Sequence, residues 1–423
     1  MRSLKGLAGL LFAASLVWGI LHYGAVESHV SNTLFLLMLA AAAVTAWRVP
    51  AELFSRDHII PVAVVGALLL VEVLRRDSLT GHGYTILALG WMAFFVTVLL
   101  TADDARTAKN LFLLLTFIGC AEALYGLVQS LGGLDYIGTY YRNMGRKASG
   151  TLINPNHFSG LLNMTLPLVV GTLFMRLSKR RFGLRSEFYS RAWVMLAGCS
   201  FMGLAVILSA SRAGTATMLA SLLFLLIMWR FGKSHRRRNL SAVAVLVLLV
   251  MIVGLGFWVG MDALQSKFGM VESDLSFRGS IYSDSLRLIA DNRFFGVGPG
   301  MYQWRFRPYQ SIRPELWFKQ AHNDYLQSAA EWGVPLALLF WGFVLWQLMR
   351  TLKVFLQSHH PERQGIALGC SAAILSILLH SFVDFNLQIP TTWMIFCSIL
   401  GLSWNLAQGA ERRRRQDSVA VGE

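Results

Sequence analysis

Residues 321–346 read AHNDYLQSAAEWGVPLALLFWGFVLW, a polar and acidic opening that runs without a break into aliphatic and aromatic residues. A bilayer-crossing helix needs about 20 mostly apolar residues, and the second half of this stretch reads as such a span, centred near residue 340. His322, Asn323, Asp324 and Glu331 therefore stand at the mouth of a span, where charged groups are costly without a partner or a task. The rest of the chain has the same character. With 423 residues, 55% of them hydrophobic and only 14% charged, it does not read as a soluble globular protein. Counting apolar runs of spanning length gives about twelve, centred near residues 15, 40, 66, 92, 120, 166, 200, 221, 250, 340, 373 and 399. The expected fold is an all-α polytopic membrane protein, residues 1–423 forming one integral domain.

The first apolar run, LKGLAGLLFAASLVWGILHYGA, has the basic start of a signal peptide but is long enough to span, and no convincing cleavage site follows it, so it is read as a retained helix. Cys120, Cys199, Cys370 and Cys397 all fall inside spans and offer neither a disulfide framework nor a metal cluster; they read as small core residues. The formal net charge of +15 is explained by topology. With a cytoplasmic N-terminus and twelve alternating spans, the cytoplasmic segments hold 24 of the 38 Lys and Arg residues, including the clusters at 176–191 and 230–238 and the RRRR tail at 412–415. That is a positive-inside pattern, with anionic headgroups as the partners; no nucleic-acid partner is expected. Both termini are then cytoplasmic.

No Gly, Ser or Pro-rich linker divides the chain and no internal repeat is visible. The exception to short connections is residues 262–323, between spans nine and ten, long enough for helices of its own. Within it SFRGSIYSDSLRLIADNRFF places Ile281, Leu286, Leu288 and Ile289 in a roughly helical pattern, as in a helix lying at a membrane surface, and GVGPG ends it. The same topology puts this segment on the external side together with YYRNMGRKASGTLINPNH (140–157), SASRAG (209–214), the AHNDYLQ stretch and HSFVDFNLQIP (380–390). Function is expected at that face.

Arg212 lies in a very short connection between apolar spans, where it either snorkels or pairs, or presents its planar fork to phosphate oxygens. Arg278 is read as the start of the surface helix, either a solvated arginine or an anion ligand assisted by the helix N-terminus. His322 either orients its loop by hydrogen bonding or, with a reference pKa of about 6.5, takes a proton from a hydroxyl. Asn323 and Asp324 then fix the ring or contact the substrate, while Glu331 caps, pairs with an arginine or lines the cavity. His380 and Asp384 close the eleventh span as caps, an ion pair or site residues. Asn154 and Asn156 flank a proline, and turn chemistry accounts for them. Glu122, an acid inside span five, is a functional candidate by position. There is no HExxH, CxxC, Walker loop or GxGxxG, and Asp103 and Asp104 fall on the cytoplasmic side. No metal site and no cofactor are expected.

SGTLINPNHFSGLL, ILSASRAG, FRGSIYSDSLRLIADNRFFGVGPG, HNDYLQSAAEWG and HSFVDFNLQIP, in this order and between spans, resemble the O-antigen ligase and polymerase superfamily of bacterial envelope glycosyltransferases. The resemblance runs from about residue 140 to 395. It implies transfer of a glycan from an undecaprenyl diphosphate carrier to an acceptor at the periplasmic face of the inner membrane, without nucleotide sugar or metal. By resemblance Arg212 and Arg278 are diphosphate ligands and His322 is the base that activates the acceptor hydroxyl; Asp384, Asn154 and Asn156 match recurrent positions of less defined role. A ligase would pass the glycan to lipid A-core oligosaccharide, a polymerase to another lipid-linked repeat unit, and the sequence does not separate them. A solute or ion transporter and a non-catalytic scaffold are the competing readings, although the polar groups crowd one face rather than the bilayer midplane expected of a transporter.

Overall fold

The computed structural model describes residues 2–22, 28–48, 105–138, 140–142, 144–178, 185–232 and 271–422, with short helical runs at 59–61, 63–64, 66–67, 95–96 and 98–99. The described chain is mostly helical: α1 (Arg2–Leu21), α2 (Ser28–Arg48), α3 (Ala105–Gly132), α4 (Pro155–Ser178), α5 (Arg185–Leu208), α6 (Arg212–Phe231), α7 (Val271–Asp291), α8 (Tyr302–Arg305), α9 (Asp324–Trp332), α10 (Val334–Gln357), α11 (Pro361–His380) and α12 (Pro390–Gly422). Two residue pairs form an antiparallel ribbon, β1 (Tyr136–Ile137) with β2 (Tyr140–Tyr141). The expected span centres near 15, 40, 120, 166, 200, 221, 340, 373 and 399 each fall inside a helix; those near 66, 92 and 250 lie mostly or wholly outside the described residues. Among the described residues, four helical stretches are long and apolar enough to cross a membrane: Arg106–Gly132, Arg212–Phe231, Val334–Gln357 and Pro361–His380.

Several helix starts follow directly from sequence. Proline occupies the first position of α4, α11 and α12, where its missing N–H costs nothing and its fixed φ suits the turn. Ser211 caps α6 by accepting from the Gly214 N–H, and Asn323 caps α9 by accepting from the Leu326 N–H, each meeting one of the donors a helix N-terminus leaves open.

The chain divides into two compact units. One comprises residues 102–261, 346–378 and 395–423. In it α3 packs against α4 and α5, and α6 against α4 and α5, with small residues where backbones meet. A methyl added at Gly119 would lie 2.8 Å from Met202 Cε and collide with Thr165, and one at Gly126 would lie 2.5 Å from the Phe158 ring. In lipid, where burying apolar surface gives little drive to association, such close approach and its dispersion contacts hold helices together. Cys199, Cys370 and Cys397 are buried free thiols.

The other unit comprises residues 1–101, 262–345 and 379–394. Here α1 packs against α2, and the 277–334 segment builds its own apolar core. Ile281, Leu288 and Ile289 of α7 are buried with Val297, Tyr302, Phe306, Phe318, Ala321 and Ala330. Two sequence expectations are corrected here. Leu286 is 55% exposed: five residues from Ile281, at 100° per residue, it turns well off the buried stripe. The helix also begins at Val271, not near Arg278, so Arg278 sits two turns inside it and gains nothing from the helix N-terminus. After the turn at 292–295 the backbone of Gly296 (φ 64°) passes so close to α9 that a methyl there would lie 2.5 Å from Glu331 C. Val297 N–H donates to Ala330 O (2.7 Å) and Gly298 N–H to Glu331 O (2.9 Å), so the GVGPG turn fixes the end of the helix whose start carries His322.

Candidate functional site

His322 lies one residue before the cap of α9, in a left-handed conformation (φ 53°) that is uncommon for a residue with a Cβ. Its carbonyl accepts from the Tyr282 hydroxyl (2.9 Å), which also points at Phe382 O (3.2 Å). Its ring meets Phe385 edge to face, centroids 4.9 Å apart. One turn before Tyr282 on α7, Arg278 donates through Nη1 to Val383 O. Three segments far apart in sequence, α7, residues 322–324 and residues 380–388, therefore converge on the imidazole.

Asn323 and Asp324 make that convergence rigid. The Asn323 amide donates to Phe382 O (2.9 Å) while its oxygen caps α9. The Asp324 N–H donates to Ser381 O (2.9 Å), and its Oδ2 accepts from Ser381 Oγ (2.9 Å) and the Leu387 N–H (3.3 Å). Burial pushes the Asp324 carboxyl well above the usual carboxylate range, against the pull of those hydrogen bonds. Asp324 thus anchors two segments through Ser381 and Leu387, with a further side-chain hydrogen bond to Gln388, and Asn323 is also hydrogen-bonded to the Tyr282 side chain. Glu331 is buried at the far end of α9 and accepts from Gln327 Nε2 (2.8 Å).

The electrostatics of His322 follow from its neighbours. Burial lowers its pKa most, Arg278 lowers it further, and buried Asp384 raises it. Desolvation is the largest of these effects and disfavours the imidazolium; Asp384 opposes it and Arg278 adds to it, the net shift being downward. Asp384 is held by its own turn: its N–H donates to His380 O (3.2 Å) and its Oδ1 accepts from the Phe385 N–H (2.9 Å).

The other unit carries the remaining candidates. Arg212 is the first residue of α6, after Ala210 in a left-handed turn (φ 56°). Asn154 Oδ1 accepts from the Asn156 N–H (2.9 Å), the turn expected before α4. The two meet indirectly, since α4 and α6 touch at Ser159 and Gly214 and Asn163 Nδ2 donates to Gly214 O (2.8 Å). Glu122 is buried and accepts from the Thr151 N–H (2.9 Å) and hydroxyl (2.8 Å), which gives this intramembrane acid the task of holding the turn before Asn154. Arg142 is almost fully buried, donating to Gln129 Oε1 (3.1 Å), Ser149 Oγ (2.7 Å) and Gly145 O (3.1 Å).

Sequence reading thus placed Arg278, His322 and Asp384, which one unit brings together with Asn323 and Asp324, and Arg212, Asn154 and Asn156, which belong to the other. It missed Tyr282 and Arg142. Tyr282 was findable, four residues after Arg278 and so on the same helix face; Arg142 carried no local signal. Among the described residues, no group of three or more His, Cys, Asp or Glu could hold a metal ion.

A family model described as O-antigen ligase matches residues 197–341, about a third of the chain. No curated protein matches, and the family match gives no support to a transporter. The matched stretch contains Arg212, Arg278 and His322, and it supports for this chain the O-antigen ligase and polymerase superfamily that its motifs resemble.

Proposed function

We propose that this membrane protein transfers a glycan from an undecaprenyl diphosphate carrier to an acceptor hydroxyl at the periplasmic face of the inner membrane. The acceptor is lipid A-core oligosaccharide in a ligase or a second lipid-linked repeat unit in a polymerase. His322 takes the proton of the acceptor hydroxyl as its oxygen attacks the anomeric carbon. The bond from that carbon to the carrier phosphate breaks, and the diphosphate leaves with the electron pair. Attack opposite the leaving group inverts the linkage. Arg278 and Arg212 stabilise the charge developing on the diphosphate, a role in which one preorganised donor is worth roughly 10²–10³ in rate. Asn323, Asp324 and Asp384 keep the imidazole in place, Glu331 holds the far end of α9, and Asn154 and Asn156 shape the turn before α4. The 262–323 segment is the periplasmic loop that carries the site, within a single integral domain of about twelve spans, the number that apolar runs of about 20 residues give.

The observation that carries this reading is the buried imidazole of His322, held in a left-handed turn where Arg278 and Asp384 both act on its charge. A buried imidazole whose charged form is disfavoured offers a nitrogen for proton abstraction, and a diphosphate leaving group needs fixed cations. The test supplies purified protein with lipid-linked oligosaccharide, with and without lipid A-core, and resolves the products on a gel. A shifted lipid A-core band identifies a ligase, a ladder without that acceptor a polymerase. His322→Ala and Arg278→Ala insert normally and lose transfer; wild-type transfer in both purified variants would overturn the assignment.

A further inference from the structure

Between Arg278 and His322 the chain exposes two tryptophans that the reaction leaves without a task. Trp304 is 53% exposed and Trp317 42% exposed. Their indoles meet nearly at right angles, 4.9 Å apart at 75°, and the guanidinium of Arg307 lies 5.1 Å above the Trp317 ring. Large aromatic faces left open to the outside mark a binding surface more often than chance.

The strip is built, not loose. Tyr302, Phe306 and Phe318, adjacent in sequence to the exposed groups, are locked in the core. Trp317 Nε1 donates to Gln303 Oε1 (3.4 Å) and Arg307 Nη2 to Pro314 O (3.2 Å). The Gln310 amide is placed to donate to the carbonyls of Ile312 (3.0 Å), Arg313 (2.6 Å) and Leu316 (3.1 Å), fixing the loop that presents Trp317. A surface already ordered pays little conformational entropy on binding. Its charge is one-sided: residues 303–319 hold four basic residues and one acid.

We infer that Trp304 and Trp317, with Arg307, form a docking platform for an anionic saccharide, one bearing phosphate or carboxylate groups. This rests on the glycan-transfer reading and gives it a place for the sugar chain. The C–H face of a pyranose carries the positive edge that an indole face attracts, and the guanidinium fork matches phosphate or carboxylate. Two perpendicular rings make a corner, which a puckered ring fills and a flat bilayer surface does not.

The test uses the full chain in nanodiscs and calorimetric titration with three probes: phosphorylated lipopolysaccharide core oligosaccharide freed of its lipid, the same oligosaccharide dephosphorylated, and a uronic-acid oligosaccharide. At least one acidic probe binds wild type. Trp304→Ala, Trp317→Ala and Arg307→Gln each weaken that binding about tenfold, roughly 1.4 kcal/mol, and Trp317→Phe, which keeps a ring, loses less. Removing the phosphates weakens binding of the core oligosaccharide as much as Arg307→Gln does. The inference is overturned if no acidic probe binds, if the platform variants bind as wild type, or if brominated lipid quenches fluorescence that Trp304→Phe with Trp317→Phe removes, which would put the rings in the bilayer. Binding without any transfer by wild type would instead refute the glycan-transfer reading and leave the platform standing.

Discussion

Replacing Tyr282 with phenylalanine removes one oxygen and keeps the ring. That oxygen serves His322 O at 2.9 Å and Phe382 O at 3.2 Å, but Phe382 O retains the Asn323 amide at 2.9 Å, so the loss falls on the carbonyl of His322. A hydrogen bond of this kind contributes about 0.5–1.5 kcal/mol. The left-handed conformation it braces costs a residue with a Cβ roughly 1–2 kcal/mol. The two are of one size, so without the hydroxyl the turn relaxes in a large fraction of molecules and the imidazole leaves its position between Arg278 and Asp384. Losing about 0.5–1.5 kcal/mol is a factor of roughly 2–12, and kcat for glycan transfer should fall by that factor while KM for the donor barely moves. The melting temperature in detergent should shift by no more than about 2–4 °C. On a His322→Ala background the same substitution should cost transfer less than it does in the wild type, because part of what Tyr282 does is brace the His322 carbonyl. A Tyr282→Phe enzyme within twofold of wild-type kcat, or an additive double variant, refutes this role.

Four further outcomes follow from the same geometry. Transfer should fall as pH drops through the pKa of His322, which burial and Arg278 hold below its ordinary value; Arg278→Gln should move that acid limb to higher pH and Asp384→Asn to lower pH, and equal limbs in all three proteins contradict the assigned neighbours. The raised Asp324 pKa means its stabilising contribution is complete below about pH 3.9, its unfolded value, and is lost as pH rises through the folded value; Asp324→Asn should therefore flatten the decline of melting temperature on the alkaline side. Arg212→Lys keeps the charge but not the fork, and should cost transfer nearly as much as Arg212→Ala, roughly 10²–10³ in kcat. Gly119→Val drives a side chain into Thr165 and Met202, an overpacking worth about 1–3 kcal/mol, seen as a lower melting temperature with KM unchanged.

Local chemistry made parts of this molecule legible in its sequence. Proline before an apolar run marked the starts of α4 and α12, but the stretch 321–346, read as a polar opening running unbroken into one span, is two helices, α9 and α10, parted at Gly333 (φ 84°). The start of α7 was misread: Arg278 is followed by Gly279 and Ser280, residues common at helix ends, yet the helix begins at Val271 and runs through both. Counting Leu286 in that stripe was an error of phase. The contacts from Arg278 to Val383 and from Asp324 to Ser381 join positions 105 and 57 residues apart, a distance at which no spacing rule operates. Of the candidate site, the sequence named the imidazole, the cation and the acid but not the tyrosine that braces them.

The 380–388 segment gives His322 its neighbours, yet it is made some sixty residues later. A chain still emerging from the ribosome with α9 complete and α11 unfinished has the histidine but not the frame that orients it. If His322 acts as proposed, a chain stopped before residue 380 carries the histidine without Val383, Asp384 and Phe385 around it, and such a truncated chain should be inactive rather than half-active.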